Sequence, residues 1–224
     1  MVLAAGLGLR MRPITERLPK PLVEVAGRSM LDRVFDHLDA FGIERRVVNL
    51  HHLGGMIRDH LAGRADVDFS DEPVLLETGG GVAKALPLLG GEPFLVANAD
   101  IVWLDGPTPA LTRMAQAWDG AAMDALLLLQ PAASAFGYDG RGDFSLDADG
   151  APRRRREGET APFIFAGVQI LKPELFRDVP QGPFSLNLIY DRALAAGRLR
   201  AIVHDGKWFH VGTPAALDEV HGLI

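Results

Sequence analysis

The chain of 224 residues is 48% hydrophobic and 23% charged, a soluble globular balance with enough apolar mass for one substantial core in one α/β domain. Its net charge of −6 argues against general nucleic-acid binding, and no stretch approaches the roughly 18 apolar residues of a membrane span. Without cysteine it forms no disulfide, thiolate metal site or Cys nucleophile, and Met1 leads straight into apolar strand residues rather than a signal peptide, so cytoplasm is the expected compartment.

Met1 to Ala5 reads as a short apolar strand that opens into Gly6-Leu7-Gly8-Leu9-Arg10-Met11-Arg12-Pro13, closed by Pro19-Lys20-Pro21. Gly6 and Gly8 let backbone approach a bulky anion, and successive N–H groups in such a turn form an anion-binding concavity. Arg10 and Arg12 add guanidinium forks suited to phosphate oxygens, and Lys20 adds a compact point charge. Met11 stands where a dinucleotide fingerprint needs its third Gly, and Gly8 is not followed by the Lys of a Walker A loop. A plain glycine turn with solvated arginines is the simpler reading of the same residues. Three basic side chains and the Pro-Lys-Pro brace within fifteen positions favour a triphosphate cradle instead.

Leu22 to Val25 follows as a short strand-like piece and Ala26-Gly27-Arg28 as a turn. Ser29 is placed to cap a helix from Met30 to Phe41, whose apolar stripe ends at Gly42. Arg46 to Leu50 reads as a buried strand, Met56 to Leu61 as a short helix, and Val67 to Phe69 as another strand. This alternation predicts a mainly parallel sheet with helices on both faces. His51, His52 and His60 fit no zinc spacing and are read as loop and helix-surface residues.

Glu77-Thr78-Gly79-Gly80-Gly81 reads as a glycine turn before a helix from about Val82 to Leu89. Its backbone can face the edge of a nucleobase, and it can equally be a tight strand-to-helix turn. Pro93 to Asp100 is a buried parallel strand ending in a carboxylate, the place where open α/β sheets bind ligands. Asp100 there suits Mg²⁺ bound to a triphosphate, or else caps the next element. A helix from Pro107 to Trp118 and a buried strand from Ala125 to Leu129 come next. Phe136-Gly137-Tyr138, Phe144 to Leu146 and Asp149-Gly150 read as an antiparallel excursion. Arg153 to Arg156 is a solvated hairpin, or a source of one arginine for a sugar phosphate. Pro162 to Leu171 is a strand, Phe184 begins a helix to about Ala196, and Leu199 to His204 is a strand. Pro214 sits in the first turn of a last helix.

Leu3 to Arg12, with Thr15 and Pro19-Lys20-Pro21-Leu22, resembles the signature of sugar-1-phosphate nucleotidylyltransferases, and within them is most similar to N-acetylmuramate α-1-phosphate uridylyltransferases. The resemblance runs over essentially the whole chain. It implies a GT-A-like Rossmannoid α/β fold, with a nucleotide half at about 1–105 and a sugar-side half at about 106–224. It implies a magnesium-dependent transfer of a nucleoside monophosphate, from UTP first of all, onto a sugar 1-phosphate, N-acetylmuramic acid α-1-phosphate first of all, for cell-wall recycling. A guanylyl- or other transferase for a mannose- or heptose-type sugar, a GT-A glycosyltransferase and a non-catalytic nucleotide-binding regulator are the alternatives.

Carried residue by residue, the resemblance gives Arg10, Lys20 and Asp100 the catalytic roles. It gives Leu3, Ala4, Ala5, Gly6, Gly8, Glu77, Thr78, Gly79 and Gly81 the nucleotide, and Gly137 and Asn187 the sugar. Asp100 is the implied metal ligand. His210 stands where the family places a second metal-binding Asp, and a neutral imidazole there suits Mn²⁺ or Co²⁺ better than Mg²⁺. The expected partners are a nucleoside triphosphate and a sugar 1-phosphate, without nucleic acid or membrane, in a monomer or small homo-oligomer.

Overall fold

Buried strands alternating with amphipathic helices must bury two faces of a sheet, and the chain does so in the computed structural model, which describes every residue except Asp149 and, at His221, the backbone alone. In chain order the elements are β1 (Val2–Leu3), β2 (Glu24–Val25), β3 (Arg28–Ser29), α1 (Met30–Phe41), β4 (Arg46–Leu50), α2 (Gly54–His60), β5 (Val67–Asp71), α3 (Glu77–Leu89), β6 (Phe94–Asn98) and β7 (Val102–Leu104). The remainder are α4 (Ala110–Ala117), β8 (Ala125–Pro131), β9 (Ala135–Phe136), β10 (Phe144–Leu146), β11 (Pro152–Arg154), β12 (Phe163–Leu171), α5 (Asn187–Ala195), β13 (Leu199–Val203), β14 (Lys207–Phe209) and α6 (Pro214–His221).

The main sheet runs β11-β10-β12-β6-β1-β4-β5, with β8 on the other side of β12 and β13 beside β8. β6, β1, β4 and β5 are mutually parallel, so their carboxyl ends share one edge, and β13 is parallel to β8. The long strand β12 is antiparallel to both β6 and β8 and joins the early strands to the late ones. Where β6 has ended, β10 takes up pairing with β12 at Phe144 and Phe163. The β10–β11 hairpin therefore extends the sheet past the carboxyl end of β6.

Helix α1 forms where its sequence asks for it. Ser29 Oγ accepts the Asp32 N–H at 3.0 Å, Gly42 ends the helix at φ 86°, and Met30, Leu31, Val34, Phe35 and Leu38 are buried. Each such side chain contributes about 1.5–3 kcal/mol by leaving water. Helix α6 starts in the same way, with Thr213 Oγ1 accepting the Ala216 N–H and Pro214 in the first turn.

Several boundaries differ from the sequence reading. The first strand covers only Val2–Leu3 of the expected Met1 to Ala5, because the Ala4 N–H turns to the Asn49 side chain. Leu22 lies in a 3₁₀ turn (Lys20–Leu22), which leaves Glu24–Val25 as strand. Helix α2 begins at Gly54 rather than Met56, α4 at Ala110 rather than Pro107, and α5 at Asn187 rather than Phe184. The segment Ala135–Phe136 pairs parallel to β14, so only the β10–β11 part of the expected excursion is an antiparallel hairpin. Its Asp149 end lies outside the described residues.

The largest correction concerns the three glycines. Helix α3 starts at Glu77, so Gly79, Gly80 and Gly81 are helical and buried rather than a loop. The Gly79 and Gly80 N–H groups both donate to the Phe184 carbonyl, at 2.8 and 3.1 Å. A Cβ on Gly79 would stand 2.8 Å from that carbonyl oxygen and run into the Phe184 ring, and one on Gly80 would stand 2.5 Å from the Gly182 carbonyl. Their missing side chains thus serve close packing of the 182–184 segment. Gly79→Ala should lower stability by about 1–3 kcal/mol in urea unfolding despite the better helix propensity of Ala. An unchanged midpoint would show that the 182–184 segment yields freely.

Candidate active site

A cavity of about 680 Å³ opens at the carboxyl edge of β1 and β6, where the direction of strand addition reverses. Its lining includes the run Leu3 to Met11, Lys20, Asn49, Leu75, Glu77, Thr78, Asn98, Asp100, Ser185 and Gly212.

The first wall is the glycine loop. Gly6 is exposed and a Cβ there would meet no heavy atom within 4 Å, so the position opens onto the cavity. Gly8 has another function. It holds φ 62°, a left-handed conformation that L side chains rarely adopt, and precedes a 3₁₀ turn over Leu9–Met11. A Cβ on it would stand 2.8 Å from Thr15 Cγ2, while the Thr15 hydroxyl donates to the Gly8 carbonyl at 2.8 Å. Arg10 sits exposed on that turn, and Lys20 begins the later 3₁₀ turn with only 8% of its surface exposed.

Lys20 Nζ lies 2.7 Å from Asp100 Oδ2, an ion pair between residues eighty positions apart, with Asp100 more exposed than its partner. The pair brings the loop from β1 against the end of β6. The structure thereby gathers Arg10, Lys20 and Asp100, as well as Leu3, Ala4, Ala5, Gly6, Gly8, Glu77 and Thr78, around one space.

His210 follows β14, and its N–H donates to the Phe136 carbonyl at 2.8 Å. Its ring stacks on Trp208 and meets Tyr138 edge-on, and Nε2 lies 3.5 Å from Arg10 Nη1. A Cβ on Gly212 would stand 2.9 Å from Cδ2 of that ring, so the glycine makes room for it. Burial first, then the positive charges of Lys20 and Arg10, hold the imidazole below its ordinary pKa. At neutral pH it is uncharged and can accept from Arg10.

The remaining expected residues lie outside the lining. Gly79 and Gly81 face the protein interior, as described. Gly137 has φ 70° and a Cβ there would stand 2.8 Å from the His210 carbonyl, so it serves the approach of 136–138 to 208–210. Asn187 is exposed at the start of α5 with its N–H on Ser185 Oγ at 3.2 Å, and Ser185 rather than Asn187 reaches the cavity. In the arginine run, Arg153 pairs with Glu159 at 2.9 Å, Arg154 with Asp191 at 2.8 Å, and Arg155 Nε donates to the Gly142 carbonyl at 2.8 Å. His51 and His52 bond to the Glu72 and Thr15 carbonyls, and His60 pairs with Asp32.

Sequence reasoning passed over Asn49, Leu75, Asn98, Ser185 and Gly212 as lining residues. Asn98 carried a usable signal. It is the last residue of β6, which ends there rather than at Asp100 because Ala99 and Asp100 form the following turn, and the carboxyl end of that strand borders the cavity.

For a divalent cation, Asp100 offers a hard, accessible carboxylate, which fits Mg²⁺ when most other ligands come from phosphates and water. Among the described residues no group of three or more acidic or histidine side chains gathers, so protein ligation of such an ion would be sparse.

Fold and cavity together define an α/β protein with a lysine- and arginine-lined pocket at the end of its parallel strands. The chain belongs to the family of MobA-like NTP transferase domains, whose model matches residues 1–136. It is 44% identical to the N-acetylmuramate alpha-1-phosphate uridylyltransferase of Caulobacter vibrioides, over 96% of this chain and 92% of that protein. The protein of the same name from Neisseria meningitidis serogroup B is 35% identical over 100% of this chain and 96% of its own length. The crystal structure of HddC from Yersinia pseudotuberculosis complexed with GMP-PN superposes with a TM-score of 0.78 at 22% identity, covering 99% of this chain and 97% of that one.

The depressed His210 pKa has a definite sign. Because the unfolded chain binds that proton more readily, its contribution to stability is present above the ordinary value of 6.5 and is lost as pH falls below it through the folded value. An NMR titration should place the His210 imidazole below 6.5, and a folded value at or above 6.5 would show the ring to be solvated.

Proposed function

We propose that the protein transfers a uridylyl group from UTP to the phosphate of a sugar 1-phosphate, N-acetylmuramic acid α-1-phosphate in particular, and releases pyrophosphate. The observation that supports this most is one cavity edged by the Gly6–Gly8 loop, Arg10 and the Lys20–Asp100 pair, in a chain 44% identical along nearly its whole length to such a uridylyltransferase.

A phosphate oxygen of the sugar 1-phosphate is already ionised near neutral pH, so its attack on the α-phosphorus needs neither a general base nor a covalent nucleophile. One P–O bond forms to that oxygen, the bond between the α-phosphorus and its bridging oxygen to the β-phosphate breaks, and pyrophosphate carries the electron pair away. Catalysis then rests on alignment and on neutralising charge. The loop amides and Arg10 hold the departing β- and γ-phosphates. Lys20 swings from Asp100 towards the α-phosphate, where negative charge crowds as the new bond forms. Asp100, released from that pair, would hold a Mg²⁺ ion, which when bound would offset the negative charge of the phosphates. Neutral His210 accepts from Arg10 and fixes the guanidinium on the pyrophosphate side. The acceptor sugar lies on the side of the cavity lined by Ser185, just ahead of α5.

Pyrophosphate should appear only when a nucleoside triphosphate and a sugar 1-phosphate are supplied together. A panel of four triphosphates against muramyl, glucosaminyl, mannosyl and heptosyl 1-phosphates tests the substrate, and turnover confined to GTP would overturn the uridylyl assignment. Lys20→Ala and Arg10→Ala should each lower kcat by about 10²–10³-fold, the scale of removing one transition-state donor, with the circular dichroism unchanged. Rates within a few-fold of wild type would remove those roles.

A further inference from the structure

Two buried polar side chains that the mechanism leaves unused join the opposite walls of the cavity. Asn49, on β4, and Glu72, just after β5, are 2% and 3% exposed. Asn49 Oδ1 accepts the Ala4 N–H at 2.8 Å, Asn49 Nδ2 donates to Glu72 Oε1 at 2.7 Å, and Glu72 Oε2 accepts the Leu76 N–H at 2.9 Å. Backbone N–H groups stand at both ends, so each end needs an acceptor and the middle needs one donor. An amide and a carboxylate side by side satisfy that count, which also fixes which way the amide points. Gly81 is part of the arrangement, since a Cβ there would lie 2.7 Å from Glu72 Oε1 and 2.9 Å from Asn49 Nδ2.

Burying a carboxylate on neutral donors is a costly way to fill space, and an apolar pair would pack at less expense while orphaning both N–H groups. What the pair does hold is position. Ala4 opens the loop that carries Gly6, Gly8 and Arg10. Leu76 immediately precedes Glu77 and Thr78 on the facing wall, and Glu77 is kept at φ 59°, a left-handed conformation strained for a residue with a side chain.

We propose that Asn49 and Glu72 are positioning residues that set the span between the phosphate-side loop and the Glu77–Thr78 wall, and so select a complete nucleoside triphosphate over its phosphate tail alone. This rests on the cavity being the nucleotide site. Inorganic tripolyphosphate, which reaches only the loop, should be indifferent to the pair, whereas UTP, which must touch both walls, should not.

The test compares calorimetric binding of UTP and of tripolyphosphate by the full chain. In Glu72→Gln one end of the relay faces donor against donor. UTP should weaken about tenfold, the scale of one lost hydrogen bond, while tripolyphosphate changes less than about threefold. The double variant Asn49→Asp with Glu72→Gln reverses the order of the two groups at nearly constant shape and charge. The carboxylate at 49 then accepts both the Ala4 N–H and the amide at 72, whose oxygen keeps the Leu76 N–H, so UTP affinity should return to within about threefold of wild type. Three results overturn the positioning role in a wild type that binds UTP: unchanged UTP affinity in Glu72→Gln, equal weakening of both ligands, or a double variant no better than the single. Wild-type protein that binds tripolyphosphate but not UTP would instead overturn the nucleotide reading of the cavity, and the positioning role with it.

Discussion

Lys20 and Asp100 meet at 2.7 Å with one partner largely buried, and that contact decides what the cavity can be. A lysine so poorly hydrated needs a negative partner close by, and the carboxylate at the end of β6 supplies it. The segment from Gly6 to Lys20 is thereby pinned at the sheet edge, where Gly6, Gly8 and Arg10 line the cavity. Removing either charge leaves the other uncompensated beside the cavity. A polyphosphate can satisfy the lysine equally well, so the contact that holds the loop at the sheet edge is one that an anionic ligand can replace.

The surroundings reinforce that loop by geometry rather than by charge. Gly8 is left-handed, and Thr15 closes on its carbonyl from one side while its backbone packs against the Lys20 stem. On the opposite wall the 184–186 segment grips the head of α3. The Phe184 carbonyl takes two N–H groups, its own N–H goes to Leu76, and the Leu186 N–H goes to Thr78 Oγ1 at 3.0 Å. Both walls are thus held by bonds from distant parts of the chain, which is how two loops come to face each other with little freedom.

Much of this was legible in the residues. The stripe and caps of α1 predict its limits, and the loop, Lys20 and Asp100 could be placed together because a strand-end carboxylate and a strand-end loop share one edge of a parallel sheet. Local pattern failed where tertiary bonds override it. Three successive glycines have poor helix propensity, and nothing nearby announces that the Phe184 carbonyl will hold them in a helix. Ala135–Phe136 is too short for any periodicity, and its partner lies 73 positions later in β14, Trp208 opposite Ala135. Asn49 is concealed inside an apolar strand, where a lone polar residue looks like noise until its partners at Ala4 and Glu72 are seen.

The placement of β12 bears on how the chain can be divided. Although it comes late in the sequence, it lies between β6 and β8 and bonds to both. A fragment ending before residue 163 would expose the flank of β6 as an open ladder of unpaired backbone groups, the kind of edge that recruits other chains. Swapping sugar-side segments between relatives would therefore have to carry this strand and its two neighbours as a block, and genetic splitting into halves would give reassembly only if the central strand could still slot home.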